Sequence, residues 1–253
     1  FHRCMLSGLI KRVQPMTIET IPLARLAVAF IPVLAVIAIM WVWHVQAGKA
    51  TYAMGRMLLQ LLLIGYVLVA IFEADSSLIV LGVLAIMVSA SAWIALNTVP
   101  ERRLSLYLIS LTAVLVGGGL TLAVVTQSVL SLEVWFEPRY VIPLAGMTFA
   151  NAMTSVSLAA ERTQAELDNG HPITAARNAG FQAAMIPVIN SLFAVGLVSL
   201  PGMMTGQIVS GVSPFIAARY QIMVMCMIFA SAGLSTWLFL VLAQRSGKFQ
   251  RQD

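Results

Sequence analysis

Apolar residues in this chain come in long unbroken runs. They show neither the alternation of a half-buried strand nor the one-sided stripe of a soluble helix. Seven runs stand out, at about residues 21–43, 54–72, 78–96, 104–125, 140–160, 183–199 and 220–243. As a helix, each is long enough to cross a hydrocarbon layer of about 30 Å. Within that layer a helix satisfies all its backbone polar groups in one segment. The pattern predicts an all-α, polytopic membrane fold with about seven transmembrane helices.

Composition sharpens this picture. Only 10% of the 253 residues are charged and 60% are hydrophobic, whereas a soluble surface usually needs about 25% charged residues. A soluble enzyme, a disordered tail protein and a nucleic-acid-binding domain are excluded. The net charge of +5 does not revive the last of these, because the basic residues stand singly or in pairs between apolar runs. They bear on topology instead. Lys49, Arg56, Arg102, Arg103, Arg162, Arg177, Arg245, Lys248 and Arg251 fall on one side. The opposite loops hold Arg139 and Arg219 beside Glu73, Asp75, Glu133 and Glu137. Positive-inside bias places the carboxyl end in the cytoplasm and the amino end outside. Arg3, Lys11, Arg12 and Arg25 oppose that orientation, and a start at Met16 removes the first three. Residues 1–15 read as an N-terminal extension, and residues 16–253 as a single transmembrane domain. Trp41, Trp43, Trp135 and Trp237 fall near predicted interfaces, as aromatic belts do.

The connection at about 161–182 is the longest between runs. Glu161, Gln164 and Asp168 share one helical face, so the fifth helix is expected to continue beyond the membrane. Asn169-Gly170 can stop it in a left-handed turn, and Pro172 suits the first turn of the next helix. The segment reads either as a docking element for a partner or as a solvated connector. Two stretches predict interrupted spans: Val141-Ile-Pro143-Leu-Ala-Gly146-Met147 with Asn151, and Gly196 through Pro201, Gly202 and Gly206 to Gly211. In a bilayer such breaks are tolerated where they are buried in protein or line a cavity, and paired breaks point to a translocation path.

Catalytic constellations are missing. His2, His44 and His171 lie in separate regions without a second ligand at metal spacing, and Cys4 and Cys226 form no CxxC motif. No Walker lysine or nucleophile elbow is present. Met147, Met153, Met203 and Met204, among 14 methionines, flank the expected breaks. They are either gap-filling side chains or soft ligands suited to Cu(I). Asn190 is a further polar residue within the sixth run.

Several strings carry a family resemblance. Arg56-Met-Leu-Leu-Gln60 with Gly65-Tyr66, Ile142-Pro143-Leu-Ala-Gly146-Met147 with Asn151-Ala-Met153, and Ala184-Met-Ile-Pro187-Val-Ile-Asn190-Ser191 are three of them. Leu200-Pro-Gly-Met-Met-Thr-Gly206 and Ala218-Arg219-Tyr220-Gln221 complete the set. Together they resemble the FetB-type ABC permease family of iron exporters, whose plant relatives are associated with aluminium tolerance. The likeness runs from about Met54 to Ala243, and the LPGMMTG string is its most specific element.

The resemblance implies the membrane-spanning permease subunit of an ATP-driven transporter in the bacterial inner membrane. Such a subunit exports iron, another metal cation or its complex. It works as a permease homodimer with separate ABC ATP-binding subunits, which hold the ATP and Mg. This chain then has no cofactor and no catalytic site of its own. The path or gate is expected at Pro143, Gly146, Met147, Asn151, Met153, Asn190, Pro201, Gly202, Met203, Met204 and Gly206. Coupling to the ATPase is expected at Glu161, Arg162, Glu166, Gly170 and Arg177. Asn169-Gly170-His171 keeps the family's glycine while its neighbours differ. Thr174-Ala-Ala with Gly180 resembles the EAA loop of ABC importers, with Thr174 in place of the Glu. The alternative is a stand-alone channel or secondary carrier. Ion-coupled carriers place ionisable relays in their spans, and these span interiors are nearly free of them.

Overall fold

The computed structural model describes residues 21–72 and 76–249. His2, Arg3, Cys4, Lys11, Arg12, Met16, Glu73, Asp75 and Arg251 lie outside the described residues. The chain divides into two compact units, Phe1–Asp75 and Ser76–Asp253. Helices dominate both, and the described residues contain no β-strand beyond one isolated bridge between Val195 and Ser199.

The first unit contains α1 (Leu23–Val28), α2 (Phe30–Val42) and α3 (Ala47–Phe72). Packing runs between α2 and α3. Side chains such as Ile31, Leu34, Leu59, Leu62 and Tyr66 point outward. An apolar exterior of this kind suits contact with lipid, where the hydrophobic effect gives no reason to hide it.

The second unit contains α4 (Ser77–Ala95), α5 (Arg103–Ala113), α6 (Gly119–Ala123), α7 (Pro138–Asp168), α8 (Ile173–Ala194), α9 (Gly202–Val209) and α10 (Pro214–Arg245). A π-helical segment, Val114–Gly118, joins α5 to α6, and a second, Val124–Val129, continues α6 within the same span. Wider i→i+5 turns leave carbonyls without their usual partner. Thr121 Oγ1 donates to Gly117 O (2.7 Å) and Thr126 Oγ1 to Leu122 O (2.9 Å). Helix α10 packs against α5, the first π segment, α7, α8 and α9. Its Met227 and Phe239 are buried together with Leu96, Leu106 and Val156 from the other helices.

Among the described residues, six helical stretches are long and apolar enough to cross a bilayer: Ala24–Val42, Ala47–Val69, Ser77–Thr98, Pro100–Val129, Pro138–Asp168 and Pro214–Arg245. Each coincides with an apolar run seen in the sequence. The seventh expected span, at 183–199, is corrected. Its helix, α8, stops at Ala194, and Gly196 is left-handed at φ 83°. The same helix begins at Ile173 and carries Arg177, Asn178, Gln182 and Asn190, which dilute its apolar content.

The interruption expected at 141–151 is also corrected. α7 runs unbroken through Pro143. Pro143 sits in the second turn, so its ring disturbs only the start of the helix. The second expected break exists, but as a connection between α8 and α10 that contains α9, rather than as an interrupted span.

Candidate functional site

The connection after α7 is built as the sequence requires. Helix α7 continues to Asp168, and Gly170 takes φ 85°. Gly170 N donates to Leu167 O (2.9 Å) and His171 N to Glu166 O (3.0 Å). This pair of bonds is the Schellman cap, which satisfies the last carbonyls of a helix and needs a left-handed residue. Pro172 is extended and forms the N-cap of α8, one position ahead of its expected place in the first turn.

Side chains fasten this turn. Glu166 is one of the best-sheltered groups there, with its side chain 14% exposed. It pairs with Arg162 one turn earlier and with His171 Nδ1 at 2.7 Å across the turn. Gln164 Nε2 donates to Asp168 Oδ1 at 2.7 Å. Arg177 Nη1 donates to Gln244 Oε1 (3.2 Å), which links the first turns of α8 to the end of α10, while Asn178 Oδ1 accepts from its Nε and Nη2. Glu161 is exposed. The structure thus gathers Arg162, Glu166 and Gly170 at one turn and ties Arg177 to α10.

More basic groups meet at the same end of the bundle. Arg102 Nη1 donates to Lys248 O (2.5 Å), and Lys248 Nζ donates to Ser105 O. The Arg103 guanidinium lies 3.7 Å over the Trp93 ring and donates to Trp93 O, a favourable cation–π arrangement. Phe249 closes this end edge-on against Phe239, at 5.9 Å between centroids.

Sequence reasoning missed the residue that holds the α7–α8 hairpin together. A Cβ on Gly180 would collide with Thr163 Oγ1 and stand 2.9 Å from Ala159 O. Ala159, Thr163, Ala176 and Gly180 are all buried. Small residues four apart on both helices let the backbones touch, as membrane helices commonly do. That spacing was the available signal. Gly117 plays the same part elsewhere, since its Cβ would lie 2.5 Å from Ser235 Oγ and 2.6 Å from Ser235 N.

Within one chain the expected path residues lie along α7, on α8 and in the α8–α10 connection. Pro143 and Gly146 lie within α7, and a Cβ on Gly146 would meet only Met87 Cε at 3.6 Å. Asn151 donates to Met147 O on its own helix (2.8 Å). Met147, Met153 and Met203 pack against the core, while Asn190 is exposed on α8. Pro201 is the extended N-cap of α9. Cβ atoms on Gly202 and Gly206 would meet open space within the chain. Met204 lines a cavity among α8, α9 and α10.

A second cavity of ≈ 670 Å³ lies among α4, the fourth span and α7, with Thr126, Gln127 and Trp135 in its wall. Among the described residues no three His, Cys, Asp or Glu side chains gather as a metal site.

Long apolar helices with short connections define an integral membrane protein of the all-α class. The chain belongs to the Uncharacterised protein family UPF0014, whose model matches residues 23–247. It is 39% identical over 210 residues to the Probable iron export permease protein FetB of Escherichia coli, covering 77% of this chain and 79% of that protein. The UPF0014 membrane protein slr1647 of Synechocystis is 36% identical over 221 residues, 80% of this chain and 84% of the relative. The UPF0014 membrane protein STAR2 of Oryza sativa is 35% identical over 228 residues, 81% and 77% respectively. No solved structure matches the chain.

Proposed function

We propose that this chain is the permease subunit of an ATP-driven ABC transporter in a bacterial inner membrane, exporting iron or another metal cation or its complex. Two copies pair across the bilayer with two ATP-binding subunits, which carry the ATP and Mg. The chain acts by conformational change and performs no chemistry of its own. Kinship with FetB supports the transport reading and its cargo class.

The observation that carries the coupling is the α7–α8 hairpin. Its turn is capped at Gly170, clamped by Glu166 between Arg162 and His171, and stiffened by the Gly180–Thr163 crossing. A turn held this firmly transmits a push from a cytoplasmic partner into two long helices instead of absorbing it. In this reading the Gly170 end faces the cytoplasm, as the basic residues gathered there favour. Glu161, Arg162, Glu166, Gly170 and Arg177 meet the ATPase. The path opens beside α7 and the α8–α10 connection, at Pro143, Gly146, Met147, Asn151, Met153, Asn190, Pro201, Gly202, Met203, Met204 and Gly206.

Affinity purification of the tagged chain from membranes in mild detergent tests the assembly. The expected result is a stoichiometric ATP-binding subunit whose ATP hydrolysis responds to added cation. A chain that purifies alone and moves cations in liposomes without ATP contradicts it and favours a channel or carrier.

A further inference from the structure

At the end of the second unit away from Gly170, a cavity of ≈ 440 Å³ opens among the end of α8, the short helix α9 and the first turns of α10. Three sulfur side chains contribute to its wall: Met204 from α9, and Met225 and Cys226 from α10. Gln221, one turn before Met225, lines it as well. This glutamine is 6% exposed, and its Oε1 has no hydrogen-bond partner. A buried amide oxygen left unpaired is costly and asks for a ligand. The Cys226 thiol is free and accessible.

Ligand type and charge both narrow what fits. Thioether and thiol ligands select soft monovalent copper over hard cations. No carboxylate or imidazole lines the cavity, so a divalent ion would bring uncompensated charge into an apolar site, at a large desolvation cost. A monovalent ion with one thiolate is neutral. On binding, the Cys226 thiol gives its proton to solvent, as metal-bound thiols do, and no oxidation or reduction is involved. Met204 reaches the cavity from α9, and Met225 and Cys226 reach it from α10, so the ion would bridge the two helices.

We propose that Met204, Met225 and Cys226 form a binding site for a soft monovalent cation, Cu(I) in particular, with Gln221 Oε1 as a supporting oxygen. This deepens the transport reading, on which its role as a cargo site rests, by naming the class of cation.

The test uses the full chain in detergent under anaerobic reducing conditions, in a Cys4→Ser background, with Cu(I) buffered by bicinchoninate. Expected are one Cu(I) per chain and a sulfur-dominated first shell by X-ray absorption. M204L/M225L, which nearly conserves volume, should lower affinity by at least about tenfold without changing the melting temperature, and C226S should do the same. Wild-type affinity in M204L/M225L, or a first shell of oxygen and nitrogen, overturns the site. The two readings separate cleanly. ATP-driven cation export by a chain that binds no Cu(I) removes the site and keeps the transporter. Sulfur-ligated Cu(I) on a chain without ATP coupling keeps the site and removes its role in ATP-driven export.

Discussion

The two ends of the second unit use glycine in opposite ways. At the α7–α8 hairpin, Gly180 has no room for even one more carbon, because Thr163 and the Ala159 carbonyl already fill the space. At the α8–α10 connection, Gly202 and Gly206 face open space within the chain, and the same connection exposes Leu197, Val198 and Leu200. The first region is closed within one chain, by packing, a capped turn and ion pairs. The second is unfinished within one chain, and its apolar surface remains for lipid, cargo or a second copy to cover. Glycine content alone therefore does not distinguish a tight crossing from an open connection; the neighbouring helix decides.

The comparison breaks most directly at the tight crossings. Gly180→Ala and Gly117→Ala force a methyl against neighbouring backbone, and each should destabilise the folded chain by roughly 3 kcal/mol, seen as a lower melting temperature in detergent. A melting temperature equal to the parent's would show that the helices separate freely at these points.

Gly170→Val places a β-branched residue at φ 85° and should cost about 2 kcal/mol, localised to the turn. Transport should fall while ATP hydrolysis by the partner continues, measured side by side in proteoliposomes. Glu166→Gln leaves the hairpin packed but loosens the clamp across the turn, by less than about 1 kcal/mol for so exposed a partner as Arg162. Hydrogen exchange of the 166–172 backbone should rise, with little change in melting.

Gly206→Ala sharpens the other side of the contrast. In the isolated chain it should be neutral or stabilise α9 by about 0.5–1 kcal/mol. If the chain pairs as proposed, a loss of that dimer by light scattering, with the chain's own stability intact, would place the second copy against α9.

The legible part of the fold is the part written in runs and caps. Continuous apolar stretches revealed all six long apolar helices, and Asn169-Gly170 followed by Pro172 marked the turn. Both signals are local, because bilayer crossing and helix capping depend on neighbouring residues. The errors arose where a helix's own start or end, or its partner helix, decides the outcome. Pro143 looked like a break, but it falls early enough in α7 for the helix to start around it. The sixth run looked long enough to span, but its last residues fold back at Gly196. Gly180 entered the sequence reading only through the likeness of Thr174-Ala-Ala to the EAA loop, and its contact with Thr163 exists only once α7 and α8 meet. The candidate path residues are spread over α7, α8 and the α8–α10 connection. Asn151 satisfies its own helix, and Asn190 faces outward, so polarity within a span did not identify a shared cavity.

Transport into inside-out membrane vesicles is the most direct test of the central claim. Vesicles holding the chain with its co-purified ATP-binding subunit, supplied externally with ATP and with radioactive iron or Cu(I), should accumulate one of the two metals. Accumulation should stop without ATP and without the ATP-binding subunit, and Gly170→Val should abolish it while ATP hydrolysis persists. Metal uptake that proceeds at the same rate in vesicles carrying this chain alone, with no ATP present, would contradict the account.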